Sequence, residues 1–132
     1  MNKKKTTYDF EDLFVFEVAN NHQGDVKHGL SIIDMCSDVA KKYNIRAAIK
    51  IQLRQLETFI HPNYREADDP SHIKRFLSTQ LTNEQFNILI DHARNKKLIT
   101  MATPFDEESV DLMEEMNFEI TKITIFQKIS KI

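Results

Sequence analysis

Ala47-Ala48-Ile49-Lys50-Ile51-Gln52-Leu53 is the stretch that decides the fold. Read as a strand, it splits by parity. Ile49, Ile51 and Leu53 share one face, and Ala48, Lys50 and Gln52 share the other. The wholly apolar face belongs against helices, which leaves the second face to point toward a cavity at the strand ends. Leu13-Phe14-Val15-Phe16-Glu17-Val18 is another short run rich in β-formers, with Leu13, Val15 and Glu17 on one face.

Between these runs, Asn20, Asn21 and Gly24 supply turn chemistry. Asp25 can cap a helix reaching about Tyr43, with Leu30, Ile32, Ile33 and Val39 as its apolar face and Lys41 and Lys42 in its last turn. Beyond Leu53 a polar stretch, Arg54 to Ser71, is long for a plain connection and reads as a lid or a linker. A short helix is expected over His72 to Thr79. Thr82 and Gln85 stand in capping-box spacing and open a helix to about Lys96. Leu98 to Ala102 reads as a third strand. Pro104 and Asp106 then lead into a helix ending near Met116, and Phe118 to Ile125 reads as a fourth strand. Strand and helix alternate throughout, which implies an α/β chain with a parallel sheet and helical crossovers. Periodicity fits an open doubly wound sheet and a closed (β/α)8 barrel alike.

Composition sets the outer bounds. The chain has 132 residues, 41% hydrophobic and 29% charged, and a formal charge of -2. That balance suits a globular domain and supplies no basic field for nucleic acid or an acidic membrane. No apolar run is long enough to span a bilayer, and none follows the lysines at the start as in a secretory signal. Cys36 is the single cysteine, so no internal disulfide can form. A cytoplasmic location is the expectation. Residues 1–12 read as a flexible start.

Polar residues gather where parallel strands end, the usual place for function in such folds. They are Glu17, Lys50, Gln52, Thr103 and Lys122. A lysine facing a cavity is costly unless it meets an anion. Lys50 and Lys122 together suggest a phosphate or carboxylate ligand. From spacing alone, a simple Glu17–Lys50 pair accounts for the pattern equally well. Thr103 before Pro104 reads by spacing as a turn residue.

At these residues the chain resembles the N-acetylneuraminate (sialic acid) synthase family. Glu17-Val-Ala-Asn-Asn21-His22-Gln-Gly24 resembles the family's Glu-x-x-x-Asn-His-x-Gly opening. Lys50-Ile51-Gln52, then Thr103-Pro104-Phe105-Asp106 with Ser109-Val110-Asp111, then Lys122-Ile123 follow in the family's order. Each motif is weak alone; the ordered set is specific. The resemblance implies the first four βα units of a (β/α)8 TIM barrel over residues 13–123. It also implies a transferase of carbohydrate biosynthesis that condenses phosphoenolpyruvate with an N-acetylmannosamine-type sugar. Lys50, Thr103 and Lys122 would hold the phosphate and carboxylate, and Gln52 would lie toward the sugar. Glu17 would be the catalytic residue beside the enol carbon, and Asn21 and His22 would shape the first loop. The family uses manganese or magnesium to polarise the sugar aldehyde, and it is usually a homodimer.

The pattern also breaks. Ala102 stands where the family has serine, and Thr124-Ile125-Phe126 replaces the small residue and phosphate-holding serine that follow its Lys-Ile pair. Residues 124–132 read as a divergent tail. The family's metal-ligand histidines lie on later strands, so no metal ligand is assigned in this chain. A whole barrel needs about 250 residues. The expectation is therefore an incomplete and inactive fragment. The alternatives are another phosphoenolpyruvate-condensing barrel of the 3-deoxy-octulosonate phosphate synthase type, or a non-catalytic remnant that holds a phosphate ligand or a partner. His28 and His92 are expected to face solvent. Cys36, Met101, Met113 and Met116 read as packing, and the Glu107-Glu108 and Glu114-Glu115 pairs read as exposed.

Overall fold

The computed structural model describes residues 8–65 and 71–123. Four parallel strands, β1 (Leu13–Ala19), β2 (Arg46–Leu53), β3 (Ile99–Pro104) and β4 (Ile120–Thr121), form one sheet in the order β1-β2-β3-β4. The helices are α1 (Val26–Tyr43), α2 (Leu56–Phe59), α3 (Pro62–Arg65), α4 (Ser71–Ser78), α5 (Asn83–Asn95) and α6 (Glu107–Glu115). Each strand lies beside its predecessor, with no reversal of order. A doubly wound sheet has such a reversal at its binding crevice, and a barrel does not.

The apolar parity face is the helix side. Ile49, Ile51, Leu53 and Ala102 are buried in one cluster with Ile33 and Ala40 of α1, Leu89, Ile90 and Ala93 of α5, and Leu112 and Met113 of α6. Val39, expected on the apolar face of α1, is instead 40% exposed. The buried row is Gly29, Ile33, Ser37 and Ala40, a helical stripe that small residues let approach α5 closely. A Cβ at position 29 would lie 2.9 Å from a Leu89 methyl, so glycine sets that approach.

The helix starts are built by side chains. Asp25 Oδ1 accepts from the backbone N–H groups of Lys27 (2.8 Å) and His28 (3.3 Å). Thr82 and Gln85 close a reciprocal capping box at α5. Asp106 accepts from Ser109 N–H at 2.7 Å and from Gln55 N–H at 2.9 Å, so it both caps α6 and ties down the chain leaving β2.

Several expectations change. β3 runs on through Thr103 and Pro104, so Thr103 is a strand residue and not a turn residue. β4 is only Ile120–Thr121; before it, Glu119 exchanges backbone and side-chain hydrogen bonds with Thr100. The Arg54 to Ser71 stretch carries α2 and α3 and is not a bare connection. His92 does not simply face solvent; its Nε2 meets Asp34 Oδ1 at 2.8 Å and bridges α5 to α1. The expected tail at 124–132, with the last two residues of the expected fourth strand, lies outside the described residues. No described helix is long and apolar enough to cross a membrane.

Candidate functional site

The register carries the parity argument across the sheet. Glu17 pairs with Lys50, Lys50 with Met101, Gln52 with Thr103, and Met101 with Ile120. Laterally paired residues share a face. Glu17, Lys50, Gln52 and Thr103 therefore stand together on the face away from the helices, at the C-terminal ends of their strands. Lys122 continues that face: its N–H donates to Ala102 O at 2.8 Å, which carries the ladder one step past β4. Strands are about 4.8 Å apart and Lys122 stands two residues further along than Lys50, so their backbones are about 12 Å apart, within reach of two lysine side chains meeting one ligand. Lys122 itself is exposed at the edge of the described sheet.

Lys50 is 8% exposed and its ammonium contacts the Glu17 carboxylate, which is much more open. So the simple pair exists. It does not exclude a site, because a half-exposed carboxylate is a partner that an incoming anion can replace. A bulge between Glu17 and Ala19 ends regular pairing there, and Ala19 takes a φ of 48°. Thr103 is buried between the Gln52 row and the start of the Lys122 row.

The first loop divides its two motif residues. Asn21 is exposed, whereas His22 is 2% exposed. Its Nδ1 accepts from Gly24 N–H at 3.1 Å, and its ring meets Phe86 edge-on at 6.0 Å. Burial, helped by the His28 charge, lowers the His22 pKa, so the ring is held neutral. Gly24, with φ of +73°, makes the tight turn this needs.

One group escaped the sequence reading. Arg54 follows Lys50 and Gln52 at the same two-residue step, a signal that parity alone carried. Its guanidinium stacks between Phe105 (3.8 Å) and Phe76 (4.5 Å) and donates from Nη2 to Gln52 Oε1 at 2.8 Å. Burial lowers its pKa, and the Asp106 charge opposes that. Arg54, Gln52, Asn20, His22, Leu81 and Phe86 are among the residues lining a small, partly open cavity. Among the described residues no three His, Cys, Asp or Glu side chains converge as a metal would need, so this donor set does not fit the divalent ion.

Residues 38–130 match the NeuB family. This chain belongs to the NeuB family. An N,N'-diacetyllegionaminic acid synthase of Campylobacter jejuni is 27% identical over 119 residues, covering 84% of this chain and 34% of that protein. A Chromobacterium violaceum crystal structure described as spore coat polysaccharide biosynthesis protein E superposes with a TM-score of 0.82 at 40% identity, over 86% of this chain and 34% of its own. The N-acetylneuraminic acid synthetase of Leptospira borgpetersenii, solved with citrate, gives 0.67 at 25% identity, over 85% and 35%. This NeuB chain thus spans about a third of the length of the relatives it matches, and its sheet corresponds to the N-terminal part of a barrel-type synthase.

Proposed function

We propose that these residues form the front part of a nonulosonic acid synthase site that binds phosphoenolpyruvate and, beside it, an N-acetylmannosamine-type sugar. The observation that carries the reading is the shared face: Lys50, Glu17, Gln52 and Thr103 stand together at the C-terminal strand ends of a NeuB-family sheet. Lys50 is the buried cation for the carboxylate or phosphate, with the Thr103 hydroxyl as a donor and Lys122 as the second cation from the edge. In the unliganded chain Glu17 neutralises Lys50. When an anion takes Lys50, the Glu17 carboxylate is released beside the reacting carbon, where it can take a proton or orient water. Gln52 lies toward the sugar, and His22 sets the first loop.

The divalent ion that the family resemblance implies finds no donor set among the described residues. No step is assigned to it on this chain, and the 132 residues alone are proposed not to complete the condensation. The homodimer and the cytoplasmic setting belong to the same reading.

Calorimetric titration of the chain with phosphoenolpyruvate tests it. Heat of binding that is lost in Lys50→Ala supports the site. A folded chain that takes up no phosphoenolpyruvate, or a Lys50→Ala chain that binds it equally well, overturns it. Turnover to a nonulosonic acid by the purified chain would overturn the proposed incompleteness.

A further inference from the structure

Arg54 follows Gln52 at a strand step of two, and the two side chains meet, with Nη2 donating to Gln52 Oε1 at 2.8 Å. A guanidinium carries donors only, so the amide atom that faces it is the oxygen. That bond decides which way round the Gln52 carboxamide is held. Its oxygen is engaged by Arg54, and among the described residues its NH2 group meets no protein acceptor. The NH2 group is therefore what Gln52 has left to offer a ligand. Arg54 is itself held. Phe105, just after β3, and Phe76, in α4, stack on the guanidinium at 3.8 and 4.5 Å. The Asp106 charge acts on it too, but Asp106 Oδ1 and Oδ2 already accept from Ser109 N–H and Gln55 N–H. Asp106 thus steadies the charge without taking Nη2 from Gln52. Among the described residues Arg54 Nε is buried with no hydrogen-bond partner. An arginine placed for its own hydrogen bonds would not leave a donor dry. The rings set the plane of this one, and the plane brings Nη2 to Gln52.

We propose that Arg54 is a positioning residue of the strand-end site: it holds the Gln52 carboxamide so that Gln52 meets its ligand as a donor and selects a ligand oxygen able to accept. The inference rests on the reading of Gln52 as the residue toward the sugar. The two ends of a carboxamide have nearly the same shape, so packing alone discriminates poorly between its two orientations. A fixed donor does discriminate. Lysine at 54 would supply a charge and a donor, but not a flat group that two rings can clamp. The arrangement also couples two strand ends. Gln52 pairs with Thr103, and Phe105, two residues past Thr103, holds Arg54. A carboxamide held in this way needs no reorientation when the ligand arrives.

The test begins without ligand, by side-chain NMR of the full chain. The Gln52 amide signals, identified by their loss in Gln52→Glu, are expected to stand apart from those of the other glutamines. In Arg54→Leu they should move to the common position. Calorimetry with N-acetylmannosamine follows, with phosphoenolpyruvate present. Arg54→Leu should weaken the sugar about tenfold, the scale of one hydrogen bond, and Arg54→Lys should recover part of the loss. In a Gln52→Ala background Arg54→Leu should add no further loss, because it acts through Gln52. Additive losses would mark a merely structural arginine and overturn the inference. If Arg54→Leu fails to fold, Gln52→Glu decides. Its carboxylate still accepts from Arg54 but has nothing to donate, so the urea midpoint should hold while the sugar is lost. Sugar binding by Gln52→Glu equal to the parent, Gln52 signals indifferent to Arg54→Leu, or a parent that takes phosphoenolpyruvate but not the sugar also overturns it. If the parent takes no phosphoenolpyruvate, it is the proposed function that fails, and the Gln52 signals still decide the part of Arg54.

Discussion

At the scale of single residues, the Glu17–Lys50 contact has a consequence that can be measured. The carboxylate competes with any anion for the same ammonium. Glu17→Gln should therefore bind phosphoenolpyruvate more tightly, by about 1 kcal/mol for a half-exposed pair, and this is read by calorimetry. A purely structural pair predicts no gain. Asp34 offers a second handle. Its Oδ1 accepts from Lys96 Nζ (2.9 Å) and His92 Nε2 (2.8 Å), and these bonds, Lys96 first, hold its pKa below the ordinary value. A depressed carboxylate stabilises the fold above its unfolded pKa of about 3.9, and that stability disappears as pH falls through the folded value. Asp34→Asn should therefore lower the urea midpoint on the neutral plateau and flatten its fall below about pH 4, so that variant and parent converge in acid.

Elements depend on their ends. Thr82→Ala removes the capping box of α5, which should cost about 1 kcal/mol in chemical denaturation. Asp106→Ala should cost more, about 2 kcal/mol, because it frees Ser109 N–H and Gln55 N–H together. Gly24 joins the first loop to the end of α4. A Cβ there would sit 3.0 Å from Ser78 O in a left-handed conformation, so Gly24→Ala should destabilise the chain by about 1–2 kcal/mol. The capping spacing of Thr82 and Gln85 was legible in the sequence because a capping box is local. The close approach of α1 and α5 was not, since it depends on Gly29 meeting Leu89 across the fold.

Among the described residues, helices pack one face of the sheet, while the other is buried at Ala48, Lys50 and Thr103 and opens toward the β1 edge. Helices bury Ile49, Ile51 and Leu53, while Val15 on the other side remains 43% exposed on the β1 edge. Exposed apolar residues on an edge strand promote association, and a lysine there opposes it. Val15→Lys should leave the denaturation midpoint within about 0.5 kcal/mol of the parent, as surface changes do, while raising the soluble fraction on concentration.

Parity within Leu13–Val18 and Ala47–Leu53 determined which face would carry Glu17, Lys50 and Gln52, because side chains alternate along any strand whatever surrounds it. Alternating strands and helices likewise determined a parallel α/β chain. Only the tertiary structure decided the sequential strand order, the membership of Thr103 in β3, and the bridge from His92 to Asp34. It alone also decided the stack of Arg54 between Phe76 and Phe105. Those features join residues distant in sequence, and no local preference encodes which of them will meet.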